Sequence, residues 1–207
     1  MAILTLPATV RVVRLEWGQR RNDLEFNGGD AGGTQARILA PPRWTASIVC
    51  PEAVNQADAA LWRSLILRLN GRIHQLALHD LGNPVPRGTL RGALTLNAQA
   101  AAGSTVLSIA GGLAQAGFTL LEGDWIGVGS GSTVQLVSVA SNAVANASGV
   151  ISVTISQPMR YTQASASVVV WDKPTALFRV TSTDSRWVHD RAIRSGYSLD
   201  LIESWAT

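Results

Sequence analysis

Few residues of this 207-residue chain combine the types and spacing that chemistry requires. His79 directly precedes Asp80, the order of a general base beside a carboxylate that orients it, but no nucleophile accompanies them. Glu122 and Asp124 have the types of a glycosidase carboxylate pair. Two acidic residues on a β-turn are, however, more often solvated turn formers. These residues therefore predict no active site.

The same scarcity applies to metal and redox sites. Cys50 is the only cysteine, so a disulfide within the chain and a multi-cysteine zinc site are both impossible, and a buried thiol is expected. His74 and His79 lie five residues apart on a predicted strand, on opposite faces, and cannot readily share a metal. His189 lies in a charged loop beside Arg191. We expect no catalytic residue, no cofactor and no metal, and we expect the chain not to be an enzyme.

Charge is distributed unevenly along the chain. Between Arg91 and Asp172 only Glu122, Asp124 and Arg160 are charged, which indicates a weakly charged module set inside a more ordinary domain. The net charge of +3 is small, and the basic residues near the start are interleaved with acidic ones, unlike a nucleic-acid footprint. No stretch approaches the roughly 18 apolar residues of a membrane span. Specific nucleic-acid binding and membrane insertion are therefore not expected.

The first elements predicted along the chain are two strands and an arm. Residues 3–17 predict a strand whose register switches, as a bulge or a change of partners would produce. The glycine-rich segment Gly18 to Thr34 predicts a projecting hairpin or arm, because Leu24 and Phe26 alternate with acidic residues. A mobile surface loop is the alternative for this segment. A second strand is predicted over residues 44–49.

A helix is predicted over residues 55–70, where apolar residues recur at helical spacing. Asn55 can cap its start, Asp58 favours the first turn, and Gly71 suits the C-terminal exit. A strand over residues 73–79 follows.

The weakly charged residues 89–172 predict a small inserted all-β module, a barrel or a sandwich. Its short strands are expected near residues 104–109, 125–128, 134–139, 151–156 and 168–171. The patterned final segment, Tyr197 to Trp205, is expected to return to the N-terminal sheet. Residues 1–88 and 173–207 would then form one discontinuous domain around the insert, mainly β with one α-helix and the extended arm.

Three stretches resemble tail proteins of long-tailed bacteriophages. They are residues 78–88 (LHDLGNPVPRG), residues 121–131 (LEGDWIGVGSG), and residues 169–174 together with 176–179. The resemblance covers roughly residues 40–207 and is closest to the distal tail protein of siphovirus-type phages. It implies a β-sandwich ring-forming domain with one helix and an extended arm. Many relatives also carry a larger C-terminal galectin-like domain, whereas the extra module here is small and internal.

The function implied by the resemblance is that of a structural virion protein, assembled in the bacterial host cytoplasm. Its copies would form a hexameric ring that joins the tail tube protein to the tip or baseplate hub proteins. Neighbouring copies would exchange edge strands and arms. Candidate subunit-interface residues are Arg14, Arg20, Arg21, Leu24, Phe26, Trp187 and Arg191.

A competing hypothesis is a carbohydrate-binding module that contacts the host cell surface through residues 92–171. Seven tryptophans are many, and sugar-binding modules use exposed aromatic rings as stacking platforms. Most of these rings fall on the apolar face of a predicted element, where core packing is the default. A third hypothesis, a hydrolase of cell wall or capsule, would need a catalytic dyad that the sequence does not present.

Overall fold

The computed structural model describes residues 1–28, 33–50, 55–185, 187–190 and 194–205. These residues form one α-helix, α1 (Gln56–Leu69), and many short strands. In chain order the strands are β1 (Ile3–Thr5), β2 (Arg14–Gly28), β3 (Gly33–Val49), β4 (Gln75–His79), β5 (Leu94–Leu96), β6 (Val106–Ala110), β7 (Thr119–Leu120), β8 (Trp125–Val128), β9 (Gln135–Ser138), β10 (Ala143–Val144), β11 (Val150–Thr154), β12 (Val168–Val170), β13 (Thr175–Val180), β14 (Val188–Asp190), β15 (Arg194–Gly196) and β16 (Ser198–Glu203). The prediction of a mainly β fold with one helix is confirmed.

Contacts divide the chain into two compact units. The first comprises Met1–Leu6, Gln75–Leu177 and Ser204–Thr207, and the second comprises Pro7–His74 and Phe178–Glu203. The chain passes from one unit to the other within β13. The sequence-based domain limits, 1–88 with 173–207 around an insert of 89–172, stay a prediction.

In the first unit, six antiparallel strands follow the order β11-β6-β5-β12-β8-β9. The two ends of this sheet meet, because Val139 after β9 bridges Ile155 after β11. The N–H of Ser156 also donates to the carbonyl oxygen of Ser138 at 2.9 Å. The sheet therefore closes on itself, which is the barrel alternative of the prediction. The same unit also contains β1, which pairs in parallel with β4.

The interior of this barrel is filled by aliphatic side chains. Along β11, Ile151 and Val153 are buried while Ser152 and Thr154 are exposed, the alternation expected of a strand with one wet face. The buried cluster draws on nearly every strand of the barrel and consists of Leu90, Leu94, Leu96, Ala100, Leu107, Ile109, Leu120, Ile126, Val128, Val137, Val139, Ala145, Ile151, Val153, Ile155, Met159 and Val169. The exposed positions of β11 are Ser and Thr, so little charge is present on either side of this strand.

In the second unit, β16 lies between β13 and β3 and is antiparallel to both, and β2 pairs antiparallel with β3. The predicted return of the last strand to the N-terminal sheet is therefore confirmed. The indole of Trp62 from α1 stacks on the ring of Tyr197, with centroids 6.1 Å apart and planes 5° from parallel. Trp17 of β2 meets Phe178 of β13 edge to face at 5.3 Å. Aromatic pairs thus join strands and helix in one core.

The helix prediction is confirmed, including its caps. The side-chain oxygen of Asn55 accepts a hydrogen bond from the N–H of Asp58 at 2.8 Å. Asn70 ends α1 in the left-handed conformation with φ of 48°, and Gly71 follows with φ of 60°. The buried side of α1 consists of Ala59, Trp62, Leu65, Ile66 and Leu69. Within the described part of the chain, no helix has the length and apolar character needed to cross a membrane.

One strand prediction is wrong, and a second is confirmed but too short. Residues 3–17 form two strands, β1 and β2, because Pro7 lacks an N–H and its carbonyl oxygen accepts from the N–H of Val10 in a turn. Since β1 pairs with β4 and β2 with β3, the predicted register switch is a change of partners. The strand predicted over 44–49 begins much earlier, at Gly33, and three short strands, β5, β7 and β10, are not predicted at all.

We expect Asn55→Ala to lower the free energy of unfolding by about 1 kcal/mol, because the first turn of α1 loses its side-chain acceptor. Urea denaturation followed by circular dichroism measures this change. Gln56→Ala, at the neighbouring exposed position, is the control and should change stability by no more than about 0.5 kcal/mol. Equal stabilities of the two variants would contradict the capping role.

Candidate functional site

Asp124, the first candidate for chemistry, is a fully buried carboxylate just before β8. Its Oδ1 accepts from the N–H of Arg87 at 2.8 Å. Its Oδ2 accepts from the N–H groups of Gly88 at 3.0 Å and Leu121 at 2.8 Å. The guanidinium Nε of Arg87 lies 3.7 Å from Oδ1. These donors compensate for the desolvation of the carboxylate, so Asp124 acts as a structural anchor for the main chain.

Two of the stretches that carry the phage resemblance, 78–88 and 121–131, are joined by this anchor. Gly88 also allows close approach, because a Cβ there would lie 2.3 Å from the carbonyl oxygen of Thr119. The N–H of Lys173 donates to the carbonyl oxygen of Pro84 at 2.7 Å, which brings in the third stretch. Residues 78–88, 121–131 and 169–174 therefore pack together in the first unit, through the Asp124 carboxylate and one main-chain hydrogen bond.

Glu122 and Asp124 do not act as a carboxylate pair in this arrangement. Asp124 faces the interior with both oxygens occupied, whereas Glu122 is exposed. The main-chain carbonyl of Glu122 accepts from the guanidinium of Arg87, and its N–H donates to Asn142 Oδ1 at 2.8 Å. These contacts are those of a well-ordered turn and do not present two acids to a common substrate space.

Asp80 likewise has a structural role beside His79. Its Oδ1 accepts from the N–H of Gly82 at 2.8 Å, and its Oδ2 accepts from the indole Nε1 of Trp125 at 3.2 Å. Burial, and to a smaller extent the charge of Lys173, lower the pKa of His79 below its usual value. The carboxylate that would orient a general base is therefore engaged with a turn and an indole.

The two tryptophans of residues 92–171 are held by contacts within their unit. Trp125 donates to Asp80, and the indole Nε1 of Trp171 donates to the carbonyl oxygen of Gly92 at 2.8 Å. The guanidinium of Arg91 lies 4.9 Å from the ring centroid of Trp171 and covers one of its faces. Both rings are half-buried. The face of Trp171 that Arg91 covers is closed to a stacking sugar ring.

Metal and thiol chemistry have little support in the described ranges. Among the residues whose positions are described, no three His, Cys, Asp or Glu side chains come together to hold a metal ion. Cys50 is buried, as predicted, and its Sγ accepts from the N–H of Tyr197 at 3.2 Å. Burial raises the pKa of this thiol, so the reactive thiolate is disfavoured at neutral pH.

The feature most open to a partner is the hairpin of β2 and β3. β16 pairs with β3 only over Thr45–Val49, whereas β2 accompanies β3 as far as the pair Gly28 and Gly33. Residues 19–28 and 33–44 therefore form a two-stranded ribbon, flanked by no third strand among the described residues. The predicted arm, Gly18 to Thr34, is confirmed as a hairpin, but its second strand extends beyond that limit. The turn at 29–32 lies outside the described residues.

Two local features mark where the ribbon leaves the sheet. The main-chain N–H of Trp44 donates to the buried Glu203 Oε2 at 2.9 Å, beyond the last residue of β3 that pairs with β16. Next to it, Pro41 and Pro42 supply no N–H to a ladder, and the register with β2 shifts around Asn22. Among the described residues, β3 therefore pairs with both β2 and β16 over residues 45–49 and with β2 alone over residues 33–44.

The ribbon has two chemically different faces, because directly opposed residues share a face and successive residues alternate. The first, which we call the acidic face, consists of the exposed residues Asp23, Glu25, Ala36 and Ile38. The second, which we call the Phe26 face, consists of the exposed residues Leu24, Phe26, Gln35 and Arg37. Within these eight residues, each face combines apolar surface with charge of one sign.

Most predicted interface residues lie on one strand. The five on β2 are all exposed: Arg14, Arg20, Arg21, Leu24 and Phe26. Arg14 forms an ion pair with Glu16. Trp187 is half-buried beside the outward side of α1, next to Arg63 and Leu67, rather than on the ribbon. Arg191 lies outside the described residues.

Sequence reasoning missed two ribbon residues, Ile38 and Leu39. They are 77% and 61% exposed and lie on the returning strand. The ribbon is exposed on both faces, so its sequence does not alternate between apolar and polar residues, and periodicity gives no strand signal. The available signal was the position of these two aliphatic residues shortly before Pro41 and Pro42, in an otherwise polar segment.

We expect Asp124→Asn to lower the free energy of unfolding by about 2 to 3 kcal/mol, because the amide nitrogen cannot accept from the N–H groups that meet the carboxylate. Chemical denaturation measures the loss. Glu122→Gln is the matched control on the same turn and should stay within about 0.5 kcal/mol of the natural protein. A stability of Asp124→Asn equal to that of Glu122→Gln would contradict the anchor.

The lowered pKa of His79 predicts that stability falls as the pH drops from about 7.5 to about 5. In the unfolded state the pKa of His79 is near 6.5, so as the pH falls the unfolded state takes up a proton before the folded state does. The stability that depends on a neutral imidazole is therefore complete above that pH and is lost below it. His79→Gln should remove part of the loss, measured by thermal unfolding at both pH values. Between about pH 7.5 and 8.5 the stabilities of the natural protein and of His79→Gln should change equally, since the imidazole is neutral in the folded and the unfolded state. An unchanged acid dependence in His79→Gln would refute the assignment.

Comparison with known proteins gives no family for this chain. The sequence matches no protein-family model and no curated protein. The resemblance of residues 78–88, 121–131, 169–174 and 176–179 to phage distal tail proteins therefore stays a prediction.

Proposed function

We propose that this chain is a structural, non-enzymatic protein of a phage tail, a ring component that joins the tail tube to the tip or baseplate. Copies of the chain contact one another through the ribbon. The observation that carries this proposal is the ribbon itself, a two-stranded extension with large apolar side chains exposed on both faces. Such a surface suits a protein partner better than it suits water.

The ribbon supports self-association for two physical reasons. Its strands have outer edges with no strand beside them among the described residues, so their main-chain groups can pair with another strand. Its exposed apolar residues, including Phe26 and Ile38, gain free energy when they are covered. Charged residues on β2, such as Arg20 and Arg21, disfavour indiscriminate pairing and thereby select one partner surface.

A contact between unlike surfaces of identical copies is head to tail, and it forms a closed ring when the rotation between copies closes. Six copies, a virion location, assembly in the host cytoplasm, and contacts with the tube protein and the hub proteins are taken from the phage resemblance. A non-enzymatic role is supported by Asp80 and Asp124, whose carboxylates are engaged in structural hydrogen bonds.

We expect a chain in which residues 21–42 are replaced by Asn-Gly to fold and to remain monomeric. Arg20 and Arg43 are opposed in the hairpin, so a two-residue turn can join them, and the pairing of β16 with residues 45–49 is untouched. Light scattering and negative-stain electron microscopy of purified protein compare it with the natural chain, for which rings are expected. Ring formation by the shortened chain would refute the role of the ribbon.

A pair of point variants separates the ribbon from exposed apolar surface in general. Ile38 on the ribbon and Leu113 in the first unit are both 77% exposed. Ile38→Asp should weaken self-association at least tenfold, whereas Leu113→Asp should leave it within about twofold. A natural chain that stays monomeric at high concentration would overturn the proposed function as a whole.

A further inference from the structure

The outward side of α1 bears a second exposed surface in the same unit as the ribbon. It is lined by residues that recur at helical spacing, together with one indole from the later loop. We call it the helix groove, and it consists of Ala60, Arg63, Ser64, Leu67, Arg68 and Trp187. Leu67 is 61% exposed, which is unusual for a large aliphatic residue on a helix that packs against a sheet.

The two arginines flank this groove. Successive residues of an α-helix are about 100° apart, so Arg63 and Arg68 lie about 140° apart around the axis. The same arithmetic places Leu67, Ala60 and Ser64 between them. The helix groove is therefore a strip of small and aliphatic side chains with a guanidinium group along each side.

The acidic face of the ribbon has the complementary chemistry. Asp23 and Glu25 are two residues apart on a strand, or about 7 Å. Arg63 and Arg68 are separated by about 7.5 Å along the helix axis. Beside the two carboxylates, Ile38 offers an exposed aliphatic side chain that can cover Leu67. Charge sign and apolar content therefore match between the two surfaces.

We propose that the acidic face of the ribbon of one copy docks in the helix groove of the next copy. Asp23 and Glu25 pair with Arg63 and Arg68, and Ile38 packs on Leu67. Both surfaces are exposed in the single chain, so they are not covering each other within one copy. The inference rests on the proposed function, and it deepens it by naming the surface that receives the ribbon.

In such a contact the apolar residues supply most of the affinity, while the charges set orientation and register. Exposed ion pairs contribute little affinity on their own, but like charges brought face to face are clearly unfavourable. The direction of the contact follows from chemistry, because an acidic face cannot pair with a second acidic face. Such a contact between unlike surfaces can repeat head to tail, and a ring requires that repetition.

Charge reversal tests the pairing in the full chain. Arg63→Glu with Arg68→Glu should weaken self-association on the order of 100-fold, measured by analytical ultracentrifugation, because two attractive pairs become repulsive. Asp23→Arg with Glu25→Arg should weaken it to a similar degree. The chain with all four substitutions should recover most of the affinity, since each contact again joins opposite charges. A fourfold variant no better than the double variants would overturn the pairing.

A matched control reverses two other exposed basic residues. Arg11→Glu with Lys173→Glu changes the net charge equally, but both residues lie outside the ribbon and the helix groove. Self-association should remain within about twofold of the natural chain, with unchanged circular dichroism in every variant. If this control dissociates as strongly as the reversed groove, the effect is one of net charge and the inference fails.

A mixing experiment distinguishes this inference from the proposed function. The chain shortened at residues 21–42 keeps only the groove, and the Arg63→Glu, Arg68→Glu chain keeps only the ribbon. Each should be monomeric alone, and an equimolar mixture should give a one-to-one complex that grows no further. If the groove-reversed chain still forms rings, the ribbon binds elsewhere and the inference fails while the proposed function stands. If the natural chain never associates, both fail.

Discussion

The organisation of the second unit follows from how many neighbours β3 has along its length. Over residues 45–49 it lies between β2 and β16, so its main-chain groups are paired on both sides. Beyond Trp44 its only strand partner in the part of the chain that the structure describes is β2, and the carboxylate of Glu203 accepts from the N–H of Trp44. Burying a strand that has one partner costs free energy, because its unpaired main-chain groups must remain in water or pair with another protein. The ribbon and its exposed side chains follow from this change from two partner strands to one.

The first unit satisfies its main chain by a different route. Its six-stranded sheet closes on itself between Val139 and Ile155, so the barrel has few edges to protect. Asp124, its one fully buried carboxylate among the described residues, accepts hydrogen bonds from main-chain N–H groups. The outward positions of a strand such as β11 are Ser and Thr, so the outer side of the barrel also carries little charge.

The proposed assembly through the second unit connects these observations. The ribbon presents the acidic face and the Phe26 face, and α1 presents an exposed aliphatic strip between two arginines. Two unlike and complementary surfaces on the same chain are what a repeated head-to-tail contact requires. The carboxylates of Asp80 and Asp124 are engaged in structural hydrogen bonds.

The sequence alone determined the elements whose signals are local. The helix at 56–69 was predictable because its apolar spacing, its Asn55 cap and its glycine exit all lie within one segment. The alternating strands of the insert were predictable for the same reason, since one face of each is buried. Only the tertiary structure decided between barrel and sandwich, because closure depends on contacts between β9 and β11, which are distant in the chain. It also decided that Asp124 is an anchor, since a buried acid is recognised only by the hydrogen-bond donors that surround it. Finally, it decided that residues 33–43 are a strand, since a strand exposed on both faces has no hydrophobic periodicity.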